Sequence, residues 1–390
     1  MNAPIPLNAE QLDQLLLDCV RFAQRLIQTP SMPGEEQAVA ELISLEMRHL
    51  GFDDVWLDKA LNVYGRIHGR DRSLPALVLN SHTDHVDPGD PGLWPVPPYS
   101  GEIVDDHLVG RGASDIKGPL AVQVYAMAGL VRAGLRPRRD VVFTGVVEEE
   151  VGGTGMIYWN HHREYDVALL LLGEPSSNKL ALGHRGMLSM WVTLTGRSVH
   201  ASVPERGKNP NYALAAFLER LAGARHELSS HALLGETTVA PTVIEVDTRS
   251  YNVTPAWTRV LLDFRSASES PQGIQDFIER IAHDLPHTIA PAYENMTLTD
   301  SDEPIAGFYT PPTDPSVARV RRAIETATGS EPELTSYRFA TDGRLVTGEG
   351  FPILGYSPGA EEQAHVAGER ISIPLMAESL RAHLQLIYEY

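Results

Sequence analysis

Paired cysteines, a basic surface and membrane-length apolar runs are all missing from this chain of 390 residues. Its one cysteine, Cys19, rules out an intrachain disulfide and a cysteine-based zinc knuckle. Cys19 lies within an apolar helical pattern and is expected in the core. Basic residues are scarce: 32 Lys+Arg against 51 Asp+Glu give a formal charge of −19. That balance disfavours nucleic acid and anionic membranes as partners, because both require a basic face. No apolar run approaches the length of a bilayer span. The first residues, Met1-Asn2-Ala3-Pro4-Ile5-Pro6, carry neither the basic nor the apolar region of a signal peptide, so a cytoplasmic location is expected.

What is present is ample material for a core, 43% hydrophobic, in a chain long enough for two domains or one large one. Apolar positions at helical spacing predict helices over residues 9–27, with Asn8 as N-cap, and over 35–50, closed by Gly51. Residues 62–68 and 76–82 read as strands, and a helix is expected over 119–133. The run Val141–Val147 is apolar on both faces, as in a buried parallel strand, and it ends abruptly in Glu148-Glu149-Glu150. A helix near 155–162 and a fourth apolar run, 166–172, follow. This alternation predicts a mostly parallel sheet with helices on both faces.

The rhythm changes near Gly183-His184-Arg185-Gly186. Residues 187–195 alternate, as a half-exposed antiparallel strand does. A helix over 211–227, strands at 238–246 and 259–266, a helix over 271–285 and a strand near Met296–Thr299 complete a β-α-β-β-α-β order, which is ferredoxin-like. The α/β pattern resumes with a helix at 315–328, a strand at 351–354 and a closing helix at 375–388. The expected domains are therefore 1–183 and 306–390, together one α/β catalytic domain, with 184–305 an inserted α+β module.

Polar chemistry collects where the parallel strands end. His82 and Asp84 close one strand, Glu148-Glu149-Glu150 another, and Glu174 a third. Asp115 sits in the Gly-rich turn Gly110-Arg111-Gly112-Ala113-Ser114-Asp115-Ile116-Lys117-Gly118, and His365 follows the 351–354 strand. The Gly-rich turn is not a dinucleotide fingerprint, since Asp115 stands where the third glycine belongs. Taken singly, each residue has a plain structural reading: a solvated acidic loop, a core histidine, a helix N-cap. Taken together, the imidazole and carboxylate donors exceed what one tetrahedral ion takes. They suit two divalent cations, zinc or else cobalt or manganese, sharing a carboxylate.

These motifs, in this order and spacing, resemble the metal-site motifs of the M20 metallopeptidases and deacylases. That family includes acetylornithine deacetylase, succinyl-diaminopimelate desuccinylase, aminoacylase and glutamate carboxypeptidase. The resemblance runs from about residue 12 to 388. It implies that His82 and Glu174 hold one zinc, that Glu150 and His365 hold the other, and that Asp115 bridges them, with a cis peptide after it. Asp84 would orient His82, and Glu149 would be the general base for a metal-bridged hydroxide. The inserted module would be a lid and dimerisation domain, making the protein a homodimer. There, Gly196-Arg197-Ser198-Val199-His200-Ala201 resembles a Ser-His-Ala motif whose His200 stabilises the oxyanion at the partner subunit's site.

Tyr251-Asn252-Val253-Thr254-Pro255 and Asp263-Phe264-Arg265 resemble further lid motifs. They imply substrate contacts by Asn252 and Arg265, the latter as a bidentate match for a carboxylate. The other reading pairs Arg265 with Asp263 or another acid. Thr341-Asp342 and Pro358-Gly359 match pocket-lining segments, with Thr341 and Gly359 as substrate neighbours. The implied enzyme is an amidohydrolase acting on a small N-acyl amino acid. The alternative is a carboxypeptidase or dipeptidase, and a remote alternative is a non-catalytic binding protein on the same fold.

Overall fold

The structure is a computed structural model that describes residues 5–292 and 307–390. The chain divides into two compact units. The first comprises the chain up to Gly183 with Tyr309–Tyr337 and Thr341–Tyr390; the second comprises His184–Phe308 and Arg338–Ala340.

In the first unit, consecutive sheet neighbours are Asp54–Leu57, Val63–Ile67, Val141–Val146, Ala76–His82, Val167–Leu172 and Ile353–Gly355. The last four run parallel to one another, and the first two are antiparallel additions at one side. Leu180–His184 follows Ile353–Gly355 as an antiparallel strand. Every residue of Ala76–His82 and Val141–Val146 is buried, as expected for strands covered on both faces. Each large aliphatic side chain placed there contributes about 1.5–3 kcal/mol. The register pairs His82 with Val146, so both strands deliver their polar termini to the same edge.

Helices Ala9–Ile27, Gly118–Arg132 and Ile373–Glu389 pack on one another, and Gln37–His49 packs on the two antiparallel strands. Asn8 caps the first helix through a reciprocal bond with Gln11, as its sequence predicts. Cys19 is fully buried. No helix among the described residues is long and apolar enough to cross a membrane.

The second unit has a four-stranded antiparallel sheet in the order Thr238–Val246, Trp257–Ser266, Gly186–Thr195, His287–Pro291. Helices Pro210–Ala224 and Pro271–Ala282 accompany it. The two central strands alternate strictly, placing Leu188, Met190, Val192 and Leu194 with Val260, Leu262 and Phe264 in one core. This is the ferredoxin-like order. The expected strand at Met296–Thr299 lies outside the described residues. The sheet's fourth position is held instead by His287–Pro291, a segment whose terminal proline and exposed edge gave no strand signal.

Candidate metal centre

The site is built from the ends of buried strands. His82 closes Ala76–His82 and is 2% exposed. Its Nδ1 lies 3.2 Å from Asp84 Oδ1, and its Nε2 lies 3.1 Å from Asp115 Oδ1. Asp84 has a second task. Its carboxylate accepts the backbone N–H groups of Glu149 at 3.2 Å and Glu150 at 3.1 Å, which fixes the acidic turn against the histidine.

That turn separates its three acids. Glu148 adopts a left-handed φ of 57°, its N–H donates to Glu36, and its carboxylate accepts from the Thr154 hydroxyl. Glu148 is thereby committed to holding the turn. Glu150 points to His365, whose Nε2 lies 3.1 Å from Glu150 Oε1 and 3.4 Å from Asp115 Oδ2. Glu149 takes a third direction, and its Oε1 accepts from Arg344 Nη1 at 3.2 Å.

Two groups of potential ligand atoms result: His82, Asp115 and Glu174, and Asp115, Glu150 and His365. Within each, the atoms lie within 4.8 Å of one another, and Asp115 belongs to both. Each group offers one imidazole nitrogen and two carboxylates, a hard-to-borderline donor set that fits zinc, manganese or cobalt. The peptide bond after Asp115 is cis.

Burial and close neighbours set the electrostatics of these side chains. Burial, then Glu149 nearby, pushes Glu174 well above the usual carboxylate range. Burial, then Asp342, pushes Glu149 up to about 8. Asp115 is also buried, but the His365 and His82 imidazoles prevail and hold it well below its ordinary value. Asp115 and Glu150 lift His365 to about 10. For His82, burial opposes protonation, yet Asp115 and Asp84 prevail and raise it well above its ordinary value. Crowded, buried acids of this kind are groups whose repulsion a divalent ion would relieve.

Metal ligands must be deprotonated, so loading the metal-stripped protein with zinc at pH 7 should release one proton from each histidine and a further contribution from the raised Glu174, at least about two protons in all. Calorimetry in two buffers of different ionisation enthalpy measures this. Release of less than one proton would show that the histidines start neutral. The sign also fixes a stability trend. The pairing of His365 stabilises the cation-free fold fully below its unperturbed value of 6.5, and this is lost as pH rises through about 10.

Sequence reasoning passed over Glu369. Its buried carboxylate accepts from the backbone N–H of Gly112 at 3.0 Å, Ser114 at 2.8 Å and Asp115 at 2.9 Å, and from Arg111 Nη1 at 2.6 Å. It holds the turn that carries Asp115. Glu369→Ala strands the buried Arg111 cation and should cost about 3–5 kcal/mol, read as a lower urea midpoint. A loss under about 1 kcal/mol would contradict that role.

Gly359 meets the same turn from the other side, where an added Cβ would lie 2.4 Å from the Ser114 carbonyl oxygen. Thr341 is fully buried, and its hydroxyl accepts from the Gly343 N–H to cap the short turn Asp342–Val346. His200, Asn252 and Arg265 lie in the second unit. His200 is exposed, with Nδ1 2.7 Å from the Ser202 hydroxyl, and its segment pairs with that of Asn252 through an Ala201 N–H to Asn252 carbonyl bond of 2.8 Å. Arg265 Nε pairs with Asp263 at 2.9 Å, as one of the two readings anticipates.

A mostly parallel α/β unit with paired nitrogen and oxygen donors at its strand ends is a scaffold on which a metal-dependent hydrolase can be built. Residues 78–389 match peptidase family M20/M25/M40, and the chain belongs to that family. It is accordingly a metal-dependent hydrolase acting on amide bonds. It is 28% identical over 393 residues to a succinyl-diaminopimelate desuccinylase of Cereibacter sphaeroides, covering 96% of this chain and 99% of that protein. It is likewise 28% identical over 386 residues to the uncharacterized protein YgeY of Escherichia coli K12, covering 95% and 93%. Among solved structures, the fold matches Bacillus subtilis YXEP, described as a dinuclear metal binding peptidase from the M20 family. That match has a TM-score of 0.71 at 12% identity, over 96% of this chain and 98% of that one.

Proposed function

We propose that this chain is a two-metal amidohydrolase that removes the acyl group from a small N-acyl amino acid. The observation that carries the reading is Asp115, shared between two three-donor groups with Glu149 beside them. Likeness to a desuccinylase along nearly the full length of both chains supports the acyl substrate. In this reading His82 and Glu174 would hold one ion and Glu150 and His365 the other, with Asp115 shared between them. Zinc suits the donor set best, with cobalt and manganese as substitutes. When bound, the ions supply Lewis acidity that acidifies a water and polarises the scissile carbonyl.

The chain's own residues do the rest. Asp84 holds the His82 imidazole in orientation through Nδ1, leaving Nε2 for ligation. Glu149 accepts the proton of the attacking water on its carboxylate and returns it to the departing nitrogen, which would otherwise leave as a poor anion. His200 is assigned to the oxyanion at a partner subunit's site, and Asn252 and Arg265 to the amino acid portion of the substrate, with Arg265 exchanging Asp263 for a substrate carboxylate. Thr341 and Gly359 are assigned as substrate neighbours in the first unit.

The second unit also presents an edge strand, Thr238–Val246, with Val243, Ile244 and Val246 exposed, which suits pairing with a second copy. Gel filtration should therefore run at twice the 42.8 kDa chain mass. The activity test is a panel of N-acetyl amino acids, N-succinyl amino acids and dipeptides, each with zinc, cobalt or manganese. N-acyl amino acids should be cleaved with kcat/KM at least about tenfold above any dipeptide. Cleavage of dipeptides alone would move the chain to the peptidase branch, and cleavage of no amide would overturn the reading.

A further inference from the structure

Glu149 has one fixed partner that the chemistry described so far does not use. Arg344 lies in the short turn Asp342–Val346, which is capped by Thr341. Its side chain is 7% exposed, and it reaches the first unit's acidic turn to donate from Nη1 to Glu149 Oε1 at 3.2 Å. Arg344 Nε has no hydrogen-bond partner, and neither do the two carboxylate oxygens of Asp342, itself 1% exposed. Asp342 therefore acts on the guanidinium through charge alone and leaves its N–H groups free for Glu149.

The two turns are seated on each other at Gly153. A Cβ there would come within 2.3 Å of Leu345 Cδ1 and 2.7 Å of Asp342 Oδ1. Gly153 also has a φ of +80°, so both backbone conformation and space demand glycine. This seat brings a buried arginine to a buried acid from a segment 195 residues away in sequence.

We propose that Arg344 is a positioning residue for Glu149: it fixes one carboxylate oxygen and leaves the other to take and return the proton. The proposal rests on Glu149 being the base. A glutamate carboxylate turns about three side-chain torsions, and a proton acceptor displaced by an ångström can lose about 10²-fold in rate. An arginine N–H held on Oε1 restricts that freedom and aims Oε2. Asp342 balances the guanidinium charge, so the arginine stays buried without drawing Glu149 into a closed bidentate pair. The ion pair and hydrogen bond of the Arg344 guanidinium go to Glu149, not to the potential ligand atoms, although it also feels the charge of Glu174.

The test is a double-mutant cycle on the zinc-loaded full-length protein, with the N-acyl amino acid cleaved fastest in the panel. Arg344→Met should lower kcat by about 30- to 100-fold with KM within about threefold and metal content unchanged. Glu149→Asp withdraws the carboxylate from the arginine's reach. On that background, Arg344→Met should cost less than about threefold more. Should Arg344→Met alone fail to fold, the pair D342N/R344M removes both buried charges together and carries the same expectation. Equal losses on both backgrounds, or a loss that tracks departing metal, would overturn the proposal. The two readings fail separately. If Glu149→Gln itself keeps turnover, the base assignment falls; if Glu149→Gln abolishes turnover while Arg344→Met keeps it, only the positioning role falls.

Discussion

Glu149→Gln is expected to lower kcat by about 10²–10⁴-fold while the protein keeps its full complement of metal. The substitution is isosteric and preserves an oxygen that can accept from Arg344 Nη1, so the turn should hold. It removes only the capacity to carry a proton. Metal should stay because Glu149 belongs to neither group of potential ligand atoms, whereas its neighbour Glu150 belongs to one. Glu150→Gln should therefore give the opposite pattern, with metal lost and activity falling in step with it. Elemental analysis alongside kcat on the same preparations separates the two. If Glu149→Gln sheds metal and Glu150→Gln does not, the roles of the two acids are exchanged.

The backbone explains why adjacent glutamates can differ so sharply. At a strand end followed by an ordinary turn, three successive acids would splay into solvent and repel. Here the left-handed Glu148 bends the chain, and the Asp84 carboxylate grips the N–H groups of both Glu149 and Glu150. A carboxylate used in this way ties the geometry of His82 to that of the acidic turn. Asp84→Ala should therefore disturb more than one histidine tautomer.

Much of this was legible in the sequence because it depends on where strands stop. His82, Glu150 and Glu174 each follow an apolar run, and a parallel sheet brings the carboxyl ends of such runs to one edge. Asp115 and His365 rest on weaker cues, a Gly-rich turn before a helix and a loop after a strand, the latter at a φ of 61°, and only the motif resemblance assigns their roles. Glu369 and Arg344 were not legible. Their importance lies in what they touch across the fold, and no local pattern announces a buried acid that accepts three backbone N–H groups. The short antiparallel strands Asp54–Leu57 and Leu180–His184 escaped for a related reason. Four or five residues without clean alternation carry too little periodicity to distinguish a strand from a loop.

The sharing of Asp115 gives the second large effect. Asp115→Ala takes a carboxylate from both groups of potential ligand atoms at once and leaves each with one imidazole and one carboxylate. Two donors do not hold a divalent ion against dialysis, so bound metal should fall from two ions per chain to less than about half an ion, and turnover should fall to background. Removing an unshared donor has a different signature. His365→Ala should release one ion and retain the other, because His82, Asp115 and Glu174 remain together. The folded state should survive Asp115→Ala, since Glu369 anchors the turn through backbone N–H groups that the substitution leaves in place. Elemental analysis after dialysis, with circular dichroism to confirm the fold, gives the outcome. Asp115→Ala retaining one tightly bound ion would mean that the two groups do not share their aspartate, and the centre would have to be redrawn as two independent sites.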